Sequence, residues 1–171
     1  MITRVAEDQV YITAAPTALP IVRQATEADV PAIAHIVNEN VRQGHLLPRS
    51  PDKIRHTLPH WLVAEIGGVV VGIGSLVEMS PTLVEVRSLA VLPAYRSYGV
   101  GAAIVRALVE RARERGFPTV FALTRAVAFF QRLGFAITDK ERFPEKVWTD
   151  CVVCPLQFAC DETAVVMDIG D

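Results

Sequence analysis

The chain has 171 residues, of which 51% are apolar, and a formal net charge of -2. This length suits one domain with its own core, and the slightly acidic balance argues against nucleic-acid binding, which needs a basic surface. No run approaches the roughly 20 apolar residues of a membrane span, and the charged start, "MITRVAEDQV", lacks the apolar centre of a secretory signal. We therefore expect a cytoplasmic protein without nucleic-acid or membrane partners.

Strands and helices alternate along the predicted domain, with Pro and Gly near most of their ends. In chain order they are a strand (19–25), two helices (26–41 and 51–58), three strands (60–66, 69–79 and 83–91), a helix (99–116), a strand (118–123), a helix (124–134) and two strands (135–139 and 163–169). Short turns join the three middle strands, so we expect antiparallel pairing there. The first 18 residues carry no clear element, and we predict an N-terminal extension (1–18) followed by one domain (19–171).

The stretch "VLPAYRSYGVGA" joins a strand to a helix and contains Arg96, Gly99 and Gly101. The first N–H groups of a helix have no partner within it, and the helix dipole is positive there. Glycines let an anion approach these groups closely, and Arg96 adds a cation. The spacing R-x-x-G-x-G predicts a pyrophosphate site, although by itself it fits a simple turn with a solvated arginine equally well.

Two longer stretches closely resemble a known family. "LAVLPAYRSYGVGAAIV" resembles the acetyl-CoA signature of the GNAT acyltransferase superfamily, and "AVAFFQRLGF" resembles its second landmark, where a helix and a strand flank the coenzyme arm. The order of predicted elements over residues 19–138 is also similar to that of the family. The resemblance implies an α/β (α+β) GNAT fold, with a mixed, mostly antiparallel sheet that is splayed in the middle and flanked by about four helices, and acetyl-CoA as cosubstrate.

The same resemblance implies how acetyl-CoA is held. Its pyrophosphate rests on backbone N–H groups of residues 97–101, and its pantetheine arm pairs with the edge of the 83–91 strand. A backbone N–H within residues 89–91 polarises the thioester carbonyl. The residues implied in cofactor binding are Leu89, Ala90, Val91, Arg96, Ser97, Tyr98, Gly99, Val100, Gly101, Phe129 and Phe130.

Two charged residues interrupt the apolar strand "LVEVRSLAV". Alternation predicts that Leu83, Glu85, Arg87, Leu89 and Val91 share one face. Charges on a central strand are costly unless they are paired or face a wet cleft, so an ion pair and a catalytic carboxylate are both open interpretations. The GNAT resemblance implies that Glu85 takes a proton from the attacking amine, often through water. Arg87 beside it would weaken this base unless a substrate carboxylate neutralises the guanidinium.

Many GNAT enzymes carry a Tyr in the last helix that protonates the leaving thiolate. Phe130 stands at the matching position of this chain. We therefore expect Thr124 or a water molecule to assist the thiolate, unless it leaves unassisted. Glu85 and Thr124 are the predicted catalytic residues.

The segments "LTRAVAFFQRLGF", "FPEKVWTDCVVCP…CDE" and "GHLLPRS" resemble the short stand-alone form of N-acetylglutamate synthase, the first enzyme of arginine biosynthesis. This resemblance implies direct acetyl transfer to the α-amine of L-glutamate in a ternary complex. Two substrate carboxylates need at least two cations, and the predicted ligands are Arg87, Arg125, Lys146 and Arg49, each of which is otherwise a solvated surface charge. Two alternatives are a GNAT enzyme for another amine and a non-catalytic acetyl-CoA-binding module.

Cys151, Cys154 and Cys160 lie in the predicted tail. Their spacing fits a zinc knuckle in part, but no fourth ligand is obvious, and we predict no metal. Buried, reduced thiols are the favoured interpretation in a chain without an export signal. A possible homodimer is expected only by analogy with the superfamily.

Overall fold

A computed structural model describes residues 19–44, 48–144 and 161–170. The strands are β1 (Ile21–Gln24), β2 (Trp61–Ile66), β3 (Val69–Ser80), β4 (Leu83–Val91), β5 (Thr119–Thr124), β6 (Ala136–Thr138) and β7 (Thr163–Asp168), and the helices are α1 (Val30–Arg42), α2 (Pro51–His56), α3 (Val100–Glu114) and α4 (Val127–Arg132). Within the described ranges, no helix is long and apolar enough to cross a membrane.

The strands form one sheet with the order β1-β2-β3-β4-β5-β7-β6. Neighbouring strands are antiparallel except β4 and β5, which are parallel. The predicted mixed, mostly antiparallel sheet with about four flanking helices is therefore confirmed. The antiparallel pairing expected for the three middle strands is confirmed as well.

The sheet opens between β4 and β5. Leu83–Glu85 pairs with Thr119–Phe121, and the described residues include no further pair between these two strands. Beyond Glu85 and Phe121 the strands separate, so residues 86–91 of β4 border a V-shaped gap. This gap is the splay that the GNAT resemblance implied.

Helix α3 packs closely on one face of the sheet because two glycines of β3 lie beneath it. A Cβ at Gly72 would lie 2.8 Å from Val100 Cγ1, and one at Gly74 would lie 2.7 Å from Ile104 Cγ2. Residues at helical spacing form the buried face of α3, and those that are 0–1% exposed are Val100, Ile104, Val105, Leu108 and Ala112. Helices α1 and α2 cover the opposite face with a second apolar cluster.

A bulge in β4 changes the predicted side-chain pattern. Ile73 pairs with Ala90 whereas Ser75 pairs with Arg87, so two β4 residues lie opposite one residue of β3. Ser88, within the bulge, has a φ of 56°.

The extra residue reverses the alternation after Arg87. Leu89 and Val91 pack against the α3 cluster, whereas Leu83 belongs to a cluster with Phe121. The prediction that Leu89 and Val91 share a face with Leu83, Glu85 and Arg87 is therefore wrong. A regular alternation does not allow for an inserted residue.

Candidate active site

A buried ion pair lies at the vertex of the gap. Glu85, the last β4 residue paired with β5, is 3% exposed. Its Oε1 atom accepts hydrogen bonds from Arg87 Nε at 2.9 Å and Arg87 Nη2 at 2.6 Å. The site thus contains a carboxylate held in one orientation, directly before the strands diverge.

The edge of β4 beyond this pair carries backbone donors. The Leu92 N–H donates to the Val71 carbonyl of β3 at 2.9 Å. Amide direction alternates along a strand, so the N–H groups of Val91 and Leu89 point away from β3 into the gap. By the same alternation the Ala90 N–H points towards β3. Of the three residues predicted around the thioester, Leu89 and Val91 therefore offer amides to a ligand in the gap.

The N-terminus of α3 lies directly after the open edge and has features of an anion site. Its N-cap residue, Gly99, has a φ of 80°, and no described side chain caps the helix. Ser97 is also left-handed, with a φ of 73°. The first amides of this 15-residue helix therefore stand at the positive end of its dipole without an internal partner. Such an end accommodates phosphate, so the geometry fits the expected pyrophosphate.

Arg96 links this loop to α1. Its Nε donates to the Val91 carbonyl at 3.2 Å, and its Nη2 lies 3.1 Å from Gln43 Oε1 and 3.5 Å from Asn40 Oδ1. The guanidinium therefore joins the end of β4 to the last turn of α1. Its predicted contact with the pyrophosphate stays a prediction.

The two phenylalanines of α4 differ in their surroundings. A Cβ at Gly101 would lie 3.4 Å from Phe129 Cζ, so the half-buried Phe129 ring stands against the first turn of α3. Phe130 is 4% exposed and packs edge-on against both Phe129 and Phe135, with ring centroids 5.1 Å apart in each case. Phe129 is thus the better placed of the two for contact with a ligand, and Phe130 is a core residue.

Thr124 ends β5 at the open side of the gap. It is 8% exposed, and its Oγ1 accepts a hydrogen bond from the Ala126 N–H at 2.8 Å. This bond explains why α4 begins at Val127 rather than at 124 as predicted, because it fixes a turn between β5 and the helix. The hydroxyl uses a lone pair in the bond and keeps its own proton for donation.

Arg125 connects three parts of the fold. Its Nε donates to Asp161 Oδ1 at 2.8 Å, and its Nη1 lies 3.5 Å from the Gly44 carbonyl at the end of α1. Arg49, half-buried, precedes α2. Lys146 and the three cysteines lie outside the described residues. In the part of the chain that the structure describes, no group of three His, Cys, Asp or Glu side chains is arranged to hold a metal ion.

Sequence reasoning missed two buried polar residues beside the site. Ser75, 2% exposed, donates through Oγ to the Arg87 carbonyl at 3.0 Å. Asn40, 3% exposed, donates through Nδ2 to the Ile36 carbonyl at 2.8 Å and faces Arg96 with Oδ1. For Ser75 the available signal was a hydroxyl within an apolar strand, and for Asn40 it was a position four residues after Ile36, on the apolar face of α1.

The splayed sheet, the β4 edge that no described strand pairs with beyond Glu85, and the start of α3, which no described side chain caps, together define an acyltransferase that takes a CoA thioester. The chain belongs to the acetyltransferase (GNAT) family, whose model matches residues 30–135. It is 40% identical over 155 residues to an uncharacterized N-acetyltransferase of Chlorobaculum tepidum, which covers 88% of this chain and 97% of that protein. It is 38% identical over 119 residues to an amino-acid acetyltransferase of Mycobacterium tuberculosis, which covers 68% of each.

Solved structures agree with this class. A Mycobacterium tuberculosis protein in complex with CoA and a second ligand has a TM-score of 0.76 and 30% identity, over 87% of this chain and 99% of that one. N-acetylglutamate synthase from Neisseria gonorrhoeae, in complex with CoA and N-acetyl-glutamate, has a TM-score of 0.80 and 25% identity. The match covers 90% of this chain but only 36% of that enzyme. The predicted GNAT resemblance, the fold and acetyl-CoA as cosubstrate are confirmed, and the chain is an acetyl-CoA-dependent N-acetyltransferase.

Proposed function

We propose that this protein transfers the acetyl group of acetyl-CoA to the α-amine of L-glutamate, directly within a ternary complex. The observation that carries the proposal is the buried Glu85–Arg87 pair at the vertex of the gap, directly before the part of β4 that no described residue of β5 pairs with. The relatives named amino-acid acetyltransferase support an amino acid as the acceptor. The neighbour solved with N-acetyl-glutamate supports glutamate in particular, although this chain spans 36% of that enzyme.

Glu85 acts as the base in the proposed reaction. An α-ammonium group has to lose a proton before its nitrogen attacks a thioester carbon, and the Glu85 carboxylate accepts that proton, directly or through one water molecule. A C–N bond forms and the C–S bond breaks. The N–H groups of Leu89 and Val91 lie about 7 Å apart along the strand, so one of the two donates a hydrogen bond to the carbonyl oxygen and stabilises the negative charge that develops on it. The attacking nitrogen loses a second proton as the amide forms, and Thr124 or a water molecule relays a proton to the departing thiolate.

The α3 N-terminus holds the cofactor in this proposal. The amides of residues 97–101 receive the pyrophosphate, because the described residues leave this helix end uncapped. Arg96 keeps the loop against α1 and the end of β4. Phe129 lies beside the same helix turn and lines the path of the pantetheine arm, whereas Phe130 supports Phe129 from the core.

Arg125 is the leading candidate for a substrate carboxylate. Its ion pair with Asp161 is solvent-exposed, with side-chain exposures of 41% and 66%, and such pairs contribute little to stability. A carboxylate of the substrate replaces Asp161 at small cost and gains a forked guanidinium contact. Arg87, Arg49 and Lys146 are the further candidates. A single catalytic domain over residues 19–171, a cytoplasmic location and a homodimer stay predictions.

The proposal is tested by thiol release from acetyl-CoA with a panel of amines: L-glutamate, L-glutamine, L-aspartate, D-glutamate, spermidine and a peptide with a free N-terminus. We expect the highest kcat/KM for L-glutamate. L-Glutamine is the matched control because it keeps the size and loses one carboxylate. A higher kcat/KM for another amine would reject glutamate as the substrate. CoA binding without turnover of any amine would instead identify a non-catalytic module.

A further inference from the structure

Ser75 occupies an unusual position for a hydroxyl. It lies in the middle of β3, between Gly74 and the fully buried Leu76, and is itself 2% exposed. Burying a hydroxyl is costly unless it makes a hydrogen bond. Its Oγ makes one, to the Arg87 carbonyl on β4 at 3.0 Å. The side chain therefore ties the two strands together at one defined point.

The hydrogen bond reaches Arg87, the residue immediately before the β4 bulge. The pairing of β3 with β4 changes register there, from Ser75 opposite Arg87 to Ile73 opposite Ala90. Between them Ser88 is in the left-handed region, which costs a non-glycine residue on the order of 1 kcal/mol and persists only where the surroundings enforce it. The Ser75 hydroxyl supplies such enforcement beside the strained residue.

The bulge decides which amides face the gap. Because amide direction alternates along a strand, one inserted residue reverses the direction of every later N–H. With the bulge, the N–H groups of Leu89 and Val91 point into the gap. Without it they would point towards β3, and the Ala90 N–H would take their place. The Ser75 hydrogen bond thus decides which amides face the gap, and one of these amides donates to the thioester oxygen.

We propose that Ser75 is a positioning residue, which holds the β4 bulge through the Arg87 carbonyl and thereby directs the Leu89 and Val91 amides into the gap, where one of them donates to the thioester carbonyl. This role rests on the acetyl transfer of the proposed function and is independent of which amine accepts the group. Ser75 makes no contact with the substrate in this proposal. It acts through the backbone of β4.

The test compares Ser75→Ala and Ser75→Cys with Ser75→Thr. Alanine removes the donor, cysteine keeps the volume but is a weak donor, and threonine keeps the hydroxyl. Val63→Ala is the control for lost packing, because Val63 is buried in β2, which pairs with β1 and β3 and makes no backbone pair with β4 among the described residues. The first readout is the infrared band of the 13C-labelled acetyl carbonyl of bound acetyl-CoA, recorded without any amine. The second is kcat with the most active amine of the panel, and the third is the Kd of CoA.

We expect Ser75→Ala and Ser75→Cys to shift the carbonyl band towards that of free acetyl-CoA and to lower kcat about tenfold, the equivalent of about 1.4 kcal/mol in the barrier. The Kd of CoA should change less than twofold, and Ser75→Thr should restore most of both signals. Variants that lose stability as Val63→Ala does, but keep the wild-type band and kcat, would overturn the proposal. If the wild-type protein itself shows the carbonyl band at the frequency of free acetyl-CoA, the proposal is also overturned. Glutamate specificity is decided separately, by the amine panel.

Discussion

Arg87 donates two hydrogen bonds to a single oxygen of Glu85, two residues before it on β4: Arg87 Nε and Nη2 lie 2.9 and 2.6 Å from Glu85 Oε1. The side chains are 4% and 17% exposed. Removing one partner of a pair buried to this degree leaves the charge of the other partner without its counter-ion. A substitution of Glu85 therefore also affects Arg87, and a substitution of Arg87 also affects Glu85. The two hydrogen bonds fix the orientation of the carboxylate for proton transfer and hold the guanidinium beside it.

Replacing Glu85 by Gln should lower kcat about 10²-fold or more, because the amide has nearly the same shape but cannot take the proton from the amine. The KM for acetyl-CoA should change little. The measurement is steady-state thiol release with saturating acetyl-CoA. Glu78→Gln is the matched control, since Glu78 lies on the adjacent strand with its side chain 51% exposed. A tenfold fall or less in the Glu85 variant would assign the proton to water or another group.

Replacing Arg125 by Ala should raise the KM for glutamate about 10- to 100-fold, the usual loss for a charge-assisted pair of hydrogen bonds, with a much smaller effect on the KM for acetyl-CoA. Arg142→Ala is a close control. Its pair with Asp168 has side-chain exposures of 44% and 68%, against 41% and 66% for Arg125 and Asp161. Equal increases in both KM values for the Arg125 variant would place this arginine at the cofactor instead.

Much of the fold could be predicted because its signals are local. The buried stripe of α3, with Ile104 and Leu108, follows the helical period, and Gly116 and Gly134 follow α3 and α4 with φ of 84° and 100°. The strand-to-helix junction was visible for the same reason, since Gly99 is close in sequence to the helix that it begins.

The features that sequence reasoning missed depend on contacts between distant residues. Ser88 carries no mark of a left-handed conformation, and its bulge is visible only in the pairing with β3. The sequence predicted Arg96 as a cation at the pyrophosphate site and gave no sign of its hydrogen bonds to Asn40 and Gln43. These form because α1 packs beside the loop. The insertion of β7 between β5 and β6 likewise follows from no local pattern.

Replacing Gly72 by Ala should weaken acetyl-CoA binding. The new methyl would lie 2.8 Å from Val100 Cγ1 and 2.9 Å from Ile104 Cδ1, both fully buried, so the first turn of α3 has to move. We expect a loss of about 1–3 kcal/mol in the free energy of unfolding and a severalfold higher Kd for CoA, measured by denaturation and calorimetry. Gly170→Ala is the control, because its Cβ would lie 2.8 Å from Pro118 Cβ and the three atoms nearest to it all belong to Pro118, which is not a predicted site residue. If both variants bind CoA equally well, the position of α3 is not what limits affinity.

Asp29 provides a pH-dependent prediction about stability. The hydrogen bonds from Arg23 lower the pKa of the Asp29 carboxyl from the ordinary 3.8 to about 2. Burial opposes this shift, and hydrogen bonds from the N–H and the hydroxyl of Thr26 add to it. A folded-state pKa below the unfolded value means that this stabilisation is complete above about pH 4 and is lost as the pH falls through about 2. Asp29→Asn should therefore cost about 2 kcal/mol at pH 7, measured by urea denaturation.

The difference in unfolding free energy between wild type and Asp29→Asn should shrink as the pH falls from 4 to 2, because protonation removes from the wild type the same charge that the substitution removes. Asp52→Asn serves as the control, since Asp52 pairs with Arg55 on the surface with its side chain 85% exposed, and its difference from wild type should be small at every pH. A difference for Asp29→Asn that stays constant down to pH 2 would mean that the variant loses packing or hydrogen bonds rather than the ionised form of the carboxyl.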